Sequence, residues 1–252
     1  FTSSYGDKVN GKLLVQYRMA PAIGQLVSDC FYEGELLTGV IEPYDEEYDE
    51  KLVRVVPNIY QSEIAHELNT TVTWVDTSDA YSEDKGGSFY NKHEARKIIG
   101  LLERIQSDHK LVGNLKALAK PNEPPIGIIC MYAEQKRYLR SQFNSKSWDD
   151  DFRHLVKIDT VDSYQGKENR IIFLSVTRHS QDNKIGFMKL PNRINVALSR
   201  AMDRLVIFGA ANLWTHIQHQ KRPLGLVLKY IQDHQMDYCF IPDQNIHTSE
   251  KS

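Results

Sequence analysis

The stretch VDSYQGKENRIIFLSVTR, residues 161–178, decides the fold that the sequence predicts. A polar loop at 162–169 contains Gly166 and leads directly into an apolar run at 170–176 that predicts a β-strand. The run is nearly continuously apolar rather than alternating, which is typical of a strand covered on both faces. Polar loops at the ends of such strands are common ligand sites in α/β proteins, although a turn with Gly, Lys and Glu can also be purely structural.

Four further apolar runs predict strands of the same kind, at 71–76, 126–131, 154–159 and 204–209. Helical patterns accompany them at 91–105, 133–143 and 223–235. The first of these helices opens with Asn91 and carries Glu94 three residues later, which is the pattern of a capping box. Because strands alternate with helices, we predict an α/β fold with a mostly parallel sheet flanked by helices.

The domain organisation predicted from the sequence is simple. The 252 residues suffice for one large domain, and we predict that domain at 1–240 with a flexible tail at 241–252. The stretch EPYDEEYDE, 42–50, has six acids and no base and is interpreted as a solvated local insertion, with a regulatory or partner-facing segment as the alternative. The chain starts on Phe1 and reaches a dense motif early, so we expect it to be part of a longer protein.

The composition argues against several classes of function. Hydrophobic residues make up 41% of the chain and charged residues 25%, and no apolar run approaches the ~20 residues of a membrane span. Three cysteines without a CxxC pair predict no metal site, and His216 and His219 would share a helical face without further ligands. With no signal peptide, we expect an intracellular protein, cytoplasmic or nuclear and not secreted. The net charge of −2 means that any nucleic-acid role must depend on a local groove.

Two stretches place arginines where a phosphate could be bound. LLVQYRMAPAIG sets Tyr17 and Arg18 side by side at the end of an apolar run. PNRINVALSRAMDRLVIFG predicts a helix at 192–202 on which Arg193 and Arg200 share one stripe. A guanidinium held beside a closely docked helix suits two-pronged binding of phosphate, and the alternative is a solvated surface charge.

Three stretches together, QYRMAPAIGQLVSDCFYEGEL, VDSYQGKENRIIFLSVTR and IGFMKLPNRINVALSRAMDRLVIFG, resemble three motifs of superfamily 1 helicases. Their order and spacing are similar to the second, C-terminal RecA-like domain in the branch containing the RNA-surveillance, senataxin-like and Okazaki-fragment helicases. The chain has no GxxxxGK[ST] phosphate loop and no strand ending in an Asp-Glu pair. The resemblance therefore implies a RecA-like fold lacking the phosphate loop, and a nucleotide site shared with an N-terminal RecA-like domain of the same protein.

The resemblance implies ATP with Mg²⁺ as the nucleotide, the Mg²⁺ ligands lying on the N-terminal domain. Tyr17 would pack on the adenine, Arg18 would reach the γ-phosphate, and Arg200 would be a second arginine finger. Glu168 would accept a hydrogen bond from the ribose hydroxyls, and Gly166 would let the backbone approach the phosphates. The full set expected to contact the nucleotide is Gln16, Tyr17, Arg18, Gly166, Lys167, Glu168 and Arg200.

The resemblance also implies a groove for single-stranded DNA or RNA. The residues expected to line it are Tyr132, Thr160, Asp162, Ser163, Thr177 and Arg178. The family often has Pro where this chain has Met131, directly before the aromatic residue. We expect the full-length protein to be an ATP hydrolase and helicase, and this fragment alone to be inactive. The alternative is a non-catalytic helicase-like module that binds nucleic acid or protein.

Overall fold

The computed structural model describes residues 14–41, 52–53, 58–164, 166–234 and 236–243. The predicted acidic insertion at 42–50 lies outside these residues. Within them, no helix is both long and apolar enough to cross a membrane.

The elements of the described residues follow in chain order. The strands are β1 (Val15–Gln16), β2 (Leu37–Thr38), β3 (Val40–Ile41), β4 (Leu52–Val53), β5 (Val72–Asp76), β6 (Glu83–Lys85), β7 (Ser88–Tyr90), β8 (Ile126–Cys130), β9 (Val156–Thr160), β10 (Asn169–Ser175), β11 (Ala201–Gly209) and β12 (Tyr238–Ile241). The helices are α1 (Pro21–Phe31), α2 (Lys92–Ser107), α3 (His109–Leu118), α4 (Ala133–Asn144), α5 (Asp150–Arg153), α6 (Pro191–Leu198), α7 (Ala211–Thr215) and α8 (Pro223–Asp233). Short 3₁₀ turns lie at His66–Leu68, Asp162–Tyr164 and Gly186–Lys189.

Six strands form one sheet in the order β12–β5–β11–β10–β8–β9, and every neighbouring pair is parallel. All five predicted strands are in this sheet, with ends that differ by at most three residues from the prediction. The predicted α/β class with a parallel sheet is therefore confirmed. Strand β12 was not predicted. Separately, β1 pairs with β2 in parallel, and β6 and β7 form an antiparallel hairpin.

The core lies on both faces of this sheet, because alternate residues of each strand point to opposite helical layers. Ile172 and Leu174 of β10 belong to the cluster that contains α1, α6 and α8. Ile171 and Phe173 belong to the cluster that contains α2 and α4. All four side chains are completely buried. Burial on two sides explains why these strands are continuous apolar runs in the sequence.

Helix α6 is shorter than predicted. It ends at Leu198, and β11 begins at Ala201, whose partner in β10 is Asn169. The last residues of the predicted helix, Ala201 and Met202, therefore belong to strand β11, which pairs with β10. Arg193 and Arg200 do not share a helical stripe, because Arg200 lies in the turn between α6 and β11.

The capping box predicted for α2 is only half formed. The Asn91 side chain accepts the N–H of Glu94 at 2.9 Å, as predicted. The carboxyl of Glu94 does not return to the N–H of Asn91, which donates instead to Gln135 Oε1 at 2.8 Å. Glu94 is buried and bonded elsewhere, so its role is not that of a cap.

The packed part of the chain extends past the predicted boundary at 240. Strand β12 runs to Ile241 and pairs with β5. Beyond it, the carboxylate of Asp243 lies 2.6 Å from Lys97 Nζ and 2.9 Å from His93 Nε2. These contacts fix residues that were predicted to belong to a flexible tail.

Helix α7 ends at Thr215, so the predicted helical face carrying His216 and His219 does not form. The N–H of His219 donates to the carbonyl of His216 at 2.8 Å, within a turn.

Candidate functional site

The turn that follows β1 is shaped by the side-chain amide of Gln16. Its Oε1 accepts hydrogen bonds from the N–H groups of Arg18 (3.0 Å) and Met19 (2.7 Å). Its Nε2 donates to the carbonyl of Met19 (3.1 Å) and to Thr38 Oγ1 (3.0 Å). All four hydrogen-bonding positions of the amide are therefore used inside the protein. Gln16 holds the turn, and this geometry does not support its predicted contact with a nucleotide.

Tyr17 lies on this turn and is 58% exposed. A Cβ on Gly39 would lie 2.2 Å from Tyr17 Cε1, so the ring packs directly on the backbone of Gly39. The N–H of Gly39 donates to the carbonyl of Gln16 at 2.7 Å, which keeps that backbone in place. One face of the ring is supported and the other is open, which is what stacking on a base requires.

Arg18 forms an ion pair with Glu168, 150 positions further along the chain. Arg18 Nε donates to Glu168 Oε2, and Nη1 donates to the carbonyl of Ser199 at 3.4 Å. Both charged side chains remain partly exposed, 36% for Arg18 and 42% for Glu168. Exposed ion pairs contribute only ~0–1 kcal/mol, so a competing anion can replace this carboxylate at small cost.

Arg200 lies near both members of this pair. Its Nε donates to the carbonyl of Val196 (3.1 Å) and its Nη1 to the carbonyl of Lys167 (3.3 Å). Partial burial, followed by the positive charge of Arg18, lowers the pKa of Arg200, while Glu168 opposes this effect. Two guanidinium groups beside one carboxylate leave an excess of positive charge, which suits a polyphosphate.

The loop before β10 brings an accessible backbone segment and further positive charge to the candidate site. Gly166 has a φ of +80°, and a Cβ there would meet no atom within 4 Å. The N–H of Lys167 donates to the carbonyl of Tyr164 at 3.0 Å. Burial and then the proximity of Lys167 lower the pKa of Lys157, so two ammonium groups are close together. The donor set around this loop fits phosphate groups.

The predicted nucleotide residues meet at the amino ends of β10 and β11. Glu168 directly precedes β10 and Arg200 directly precedes β11. The N–H of Ala20 donates to the carbonyl of Met202 at 2.7 Å, which ties the turn after β1 to the same edge. Ligands of open α/β sheets usually bind at the opposite, carboxyl edge.

Some of the predicted strand-binding residues lie at the carboxyl end of β9. Asp162 and Ser163 are exposed, and Thr160 is partly exposed. Thr160 Oγ1 donates to Ser163 Oγ at 3.2 Å, and Asp162 forms an ion pair with Arg193. The structure therefore brings Thr160, Asp162 and Ser163 together on an accessible surface.

The other three predicted strand-binding side chains, Tyr132, Thr177 and Arg178, are at most 7% exposed. The ring centroid of Tyr132 lies 5.4 Å from that of Phe89 and 4.5 Å from that of Phe187. The guanidinium of Arg178 lies 3.8 Å from the centroid of Phe89. Their predicted direct contact with nucleic acid is wrong for this conformation, because tertiary packing covers them.

These buried residues support a surface that we call the carboxyl-edge rim, made of the β6–β7 hairpin and the segment 177–190. The N–H and Oγ of Ser82 both donate to the carbonyl of His179, each at 2.8 Å, which joins the two parts. Phe89 and Phe187 are only partly buried on this rim.

Among the described residues, Asp79, His93 and Asp243 have the spacing of metal ligands. The ammonium of Lys97 already lies against Asp243 at 2.6 Å, so a cation neutralises part of this cluster.

A six-stranded parallel sheet flanked by helices is the architecture of an α/β domain, and it is consistent with the RecA-like class. A family model described as "AAA domain" matches residues 3–212, and the chain belongs to this family.

Curated relatives agree with this assignment. The chain is 30% identical over 213 residues to a "Regulator of nonsense transcripts 1 homolog" of Neurospora crassa, covering 82% of this chain and 18% of that protein. It is 31% identical over 229 residues to the "ATP-dependent helicase NAM7" of Saccharomyces cerevisiae, covering 86% and 21%. It is 30% identical over 214 residues to the "ATP-dependent helicase upf1" of Schizosaccharomyces pombe, covering 81% and 21%. The chain thus spans about a fifth of the length of these relatives, and the resemblance to the RNA-surveillance branch of superfamily 1 helicases is confirmed.

Proposed function

We propose that this chain is the C-terminal motor domain of an ATP-dependent DNA or RNA helicase or translocase. In this role it supplies Arg18 and Arg200 to the terminal phosphate, and Tyr17 and Glu168 to the nucleoside. The observation that carries the proposal is that Arg18, Glu168 and Arg200 lie together, while the turn that carries Arg18 also carries the exposed side chain of Tyr17. The names of two relatives, which are ATP-dependent helicases, support the same activity.

The Arg18–Glu168 ion pair holds both side chains ready for a nucleotide. When a phosphate group binds the guanidinium of Arg18, the ion pair with Glu168 breaks. Glu168 can then accept hydrogen bonds from the ribose hydroxyls. Bound ATP with Mg²⁺ supplies the phosphoanhydride, and in this proposal the phosphate loop and the Mg²⁺ ligands belong to an N-terminal RecA-like domain. Arg18 and Arg200 meet the charge that develops during transfer, where fingers of this kind contribute ~10³–10⁵ in turnover.

These guanidinium groups also couple hydrolysis to movement. A charge-assisted bond from this domain to a phosphate held by the other domain keeps the cleft closed. The bond exists only while the terminal phosphate is present, so hydrolysis lets the domains separate. Because single-stranded nucleic acid is gripped at the opposite edge of the sheet in this proposal, opening and closing become steps along the strand.

The test is ATP turnover by the full-length protein with arginine variants. Arg18→Ala and Arg200→Ala should each lower kcat by roughly a thousandfold or more, with a much smaller change in nucleotide affinity. Arg96→Ala, which removes an exposed arginine of α2, is the matched control and should leave kcat unchanged. Unchanged turnover in both site variants would contradict the proposal.

A non-catalytic module is the alternative outcome of the same test. The sequence between Phe1 and Ser252 contains no phosphate loop, so we expect no ATP hydrolysis by this chain alone. Turnover by the isolated chain would show that the site is not shared. Duplexes of DNA and of RNA with 5′ or 3′ single-stranded tails then identify the strand that the full-length protein, proposed to be intracellular, unwinds.

A further inference from the structure

Glu94 is a buried carboxyl that has no part in the nucleotide site. It lies in the first turn of α2 and is 1% exposed. Its two oxygens accept the backbone N–H of Thr177 at 3.0 and 2.9 Å, and Ser175 Oγ donates to Oε1. Burying a carboxyl is costly unless its hydrogen bonds are made, and these bonds all go to the end of β10.

The turn at Thr177 is one that needs support. Thr177 has a φ of +69°, in the left-handed region that favours glycine and strains a β-branched residue. The N–H of Arg178 donates to the carbonyl of Val176 at 2.8 Å, so the chain reverses within three residues. Strain of this kind persists only when the surrounding structure holds it, and Glu94 provides two hydrogen-bond acceptors at that position.

The direction of this turn decides where the carboxyl-edge rim lies. Immediately after it, the guanidinium of Arg178 packs on Phe89 of the hairpin, and Arg178 Nε donates to the carbonyl of Lys184 at 2.6 Å. Arg178 thus joins the hairpin to the segment 177–190. The contact between the two parts of the rim therefore depends on the conformation of Thr177.

We propose that Glu94 is a positioning residue for the grip on single-stranded nucleic acid, holding the Thr177 turn so that the two parts of the rim keep one arrangement. Glu94 acts through the N–H of Thr177 and does not touch the strand. This inference rests on the proposed function, since it assigns the carboxyl-edge rim to strand binding.

The protonation state of Glu94 decides which substitution preserves its hydrogen bonds best. Burial raises the pKa of Glu94 to about 8, so the carboxyl is mostly protonated near neutral pH. A protonated carboxyl still offers an oxygen that accepts the N–H of Thr177, and the side-chain carbonyl of glutamine offers the same acceptor. The ionisable group facing it is Cys130, whose pKa is raised by burial and then by Glu94.

The test measures the anisotropy of a fluorescein-labelled single-stranded oligonucleotide bound to the full-length protein. Glu94→Ala should weaken binding by about tenfold, the factor that corresponds to one lost buried hydrogen bond. Glu94→Gln and Thr177→Gly should each bind like the unmodified protein. Adding Thr177→Gly to Glu94→Ala should restore most of the affinity, because glycine adopts the left-handed turn without help. The KM for ATP in the absence of nucleic acid should be the same in all four.

Two results would overturn the inference. One is unmodified strand affinity in Glu94→Ala; the other is a double variant as weak as Glu94→Ala. If circular dichroism shows that Glu94→Ala does not fold, Glu94→Asp, whose side chain is one methylene shorter, replaces it with the same expectations. If the unmodified protein binds no single strand, the proposed function fails together with this inference, and that outcome is visible before any variant is compared.

Discussion

Replacing Gly39 by alanine should weaken ATP binding by moving the ring of Tyr17. The new Cβ would lie 2.2 Å from Cε1 and 2.6 Å from Cδ1 and Cζ of Tyr17. Carbon atoms pack at ~3.5–4.0 Å, so one of the two groups must move by more than about 1 Å. The backbone of Gly39 is bonded to Gln16, whereas the ring of Tyr17 is exposed, so the ring moves.

The magnitude follows from the contact that is lost. Stacking of a base on an aromatic ring is worth ~1–3 kcal/mol, which corresponds to a roughly 5- to 150-fold increase in KM for ATP. Because the adenine lies far from the reacting phosphate, the contact is the same in ground and transition states, and kcat should not change. Steady-state ATP hydrolysis by the full-length protein measures both constants.

Two controls test whether the ring of Tyr17 accounts for the change in KM. Tripolyphosphate, which has no base, should inhibit the Gly39→Ala variant and the unmodified protein equally. Tyr17→Ala should raise KM as much as Gly39→Ala, and combining the two changes should add little. An unchanged KM in Gly39→Ala with a raised KM in Tyr17→Ala would show that Gly39 does not support the ring. An unchanged KM in both would refute the adenine contact itself.

Three further predictions concern other parts of the domain. Gly127→Ala should destabilise the protein by about 1–3 kcal/mol in chemical denaturation, because its Cβ would lie 2.5 Å from Asn169 Oδ1. The control Gly113→Ala should stabilise the protein slightly, because Gly113 lies in α3 with open space around it. The folded state keeps a proton on Glu94 that the unfolded chain releases as the pH rises. The free energy of unfolding should therefore fall by up to about 5 kcal/mol as the pH rises from about 4.5 to 8. Glu94→Gln should remove this contribution to the pH dependence. Arg200→Lys should lose most of the kcat of the full-length protein, because an ammonium keeps the charge but not the two-pronged geometry.

The central sheet was predictable because burial on both faces leaves a local signal. Runs such as 126–131 and 170–176 are apolar at nearly every position, and no distant contact is needed to recognise them. Strand β12 has a weaker signal, since three of its four residues are only partly buried at the edge of the sheet. The end of α6 was mispredicted because Ala201 pairs with Asn169 in the sheet. A helical pattern in the sequence gives no information about such pairing between strands.

The residues of the candidate site likewise divide into those that the sequence could predict and those that it could not. The arginines and Glu168 could be predicted because a family resemblance fixes their order in the chain. Whether they meet, and with which partners, depends on the tertiary structure, as with the Arg18–Glu168 pair. The roles of Gly39 and Glu94 could not be predicted, since a glycine beneath a ring leaves no pattern in the sequence and Glu94 had the pattern of a capping residue. The burial of Tyr132 has the same origin, because its covering rings come from distant segments.

Strand β10 connects the two proposed sites in a single element. It follows directly on Glu168 and ends just before the Thr177 turn, and its seven residues span about 23 Å. Hydrogen bonds to β8 on one side and β11 on the other prevent it from stretching or shearing. In the proposed motor, this domain would therefore behave as a stiff lever. The length of each stroke would be set by the angle through which the whole domain rotates, and not by bending within it.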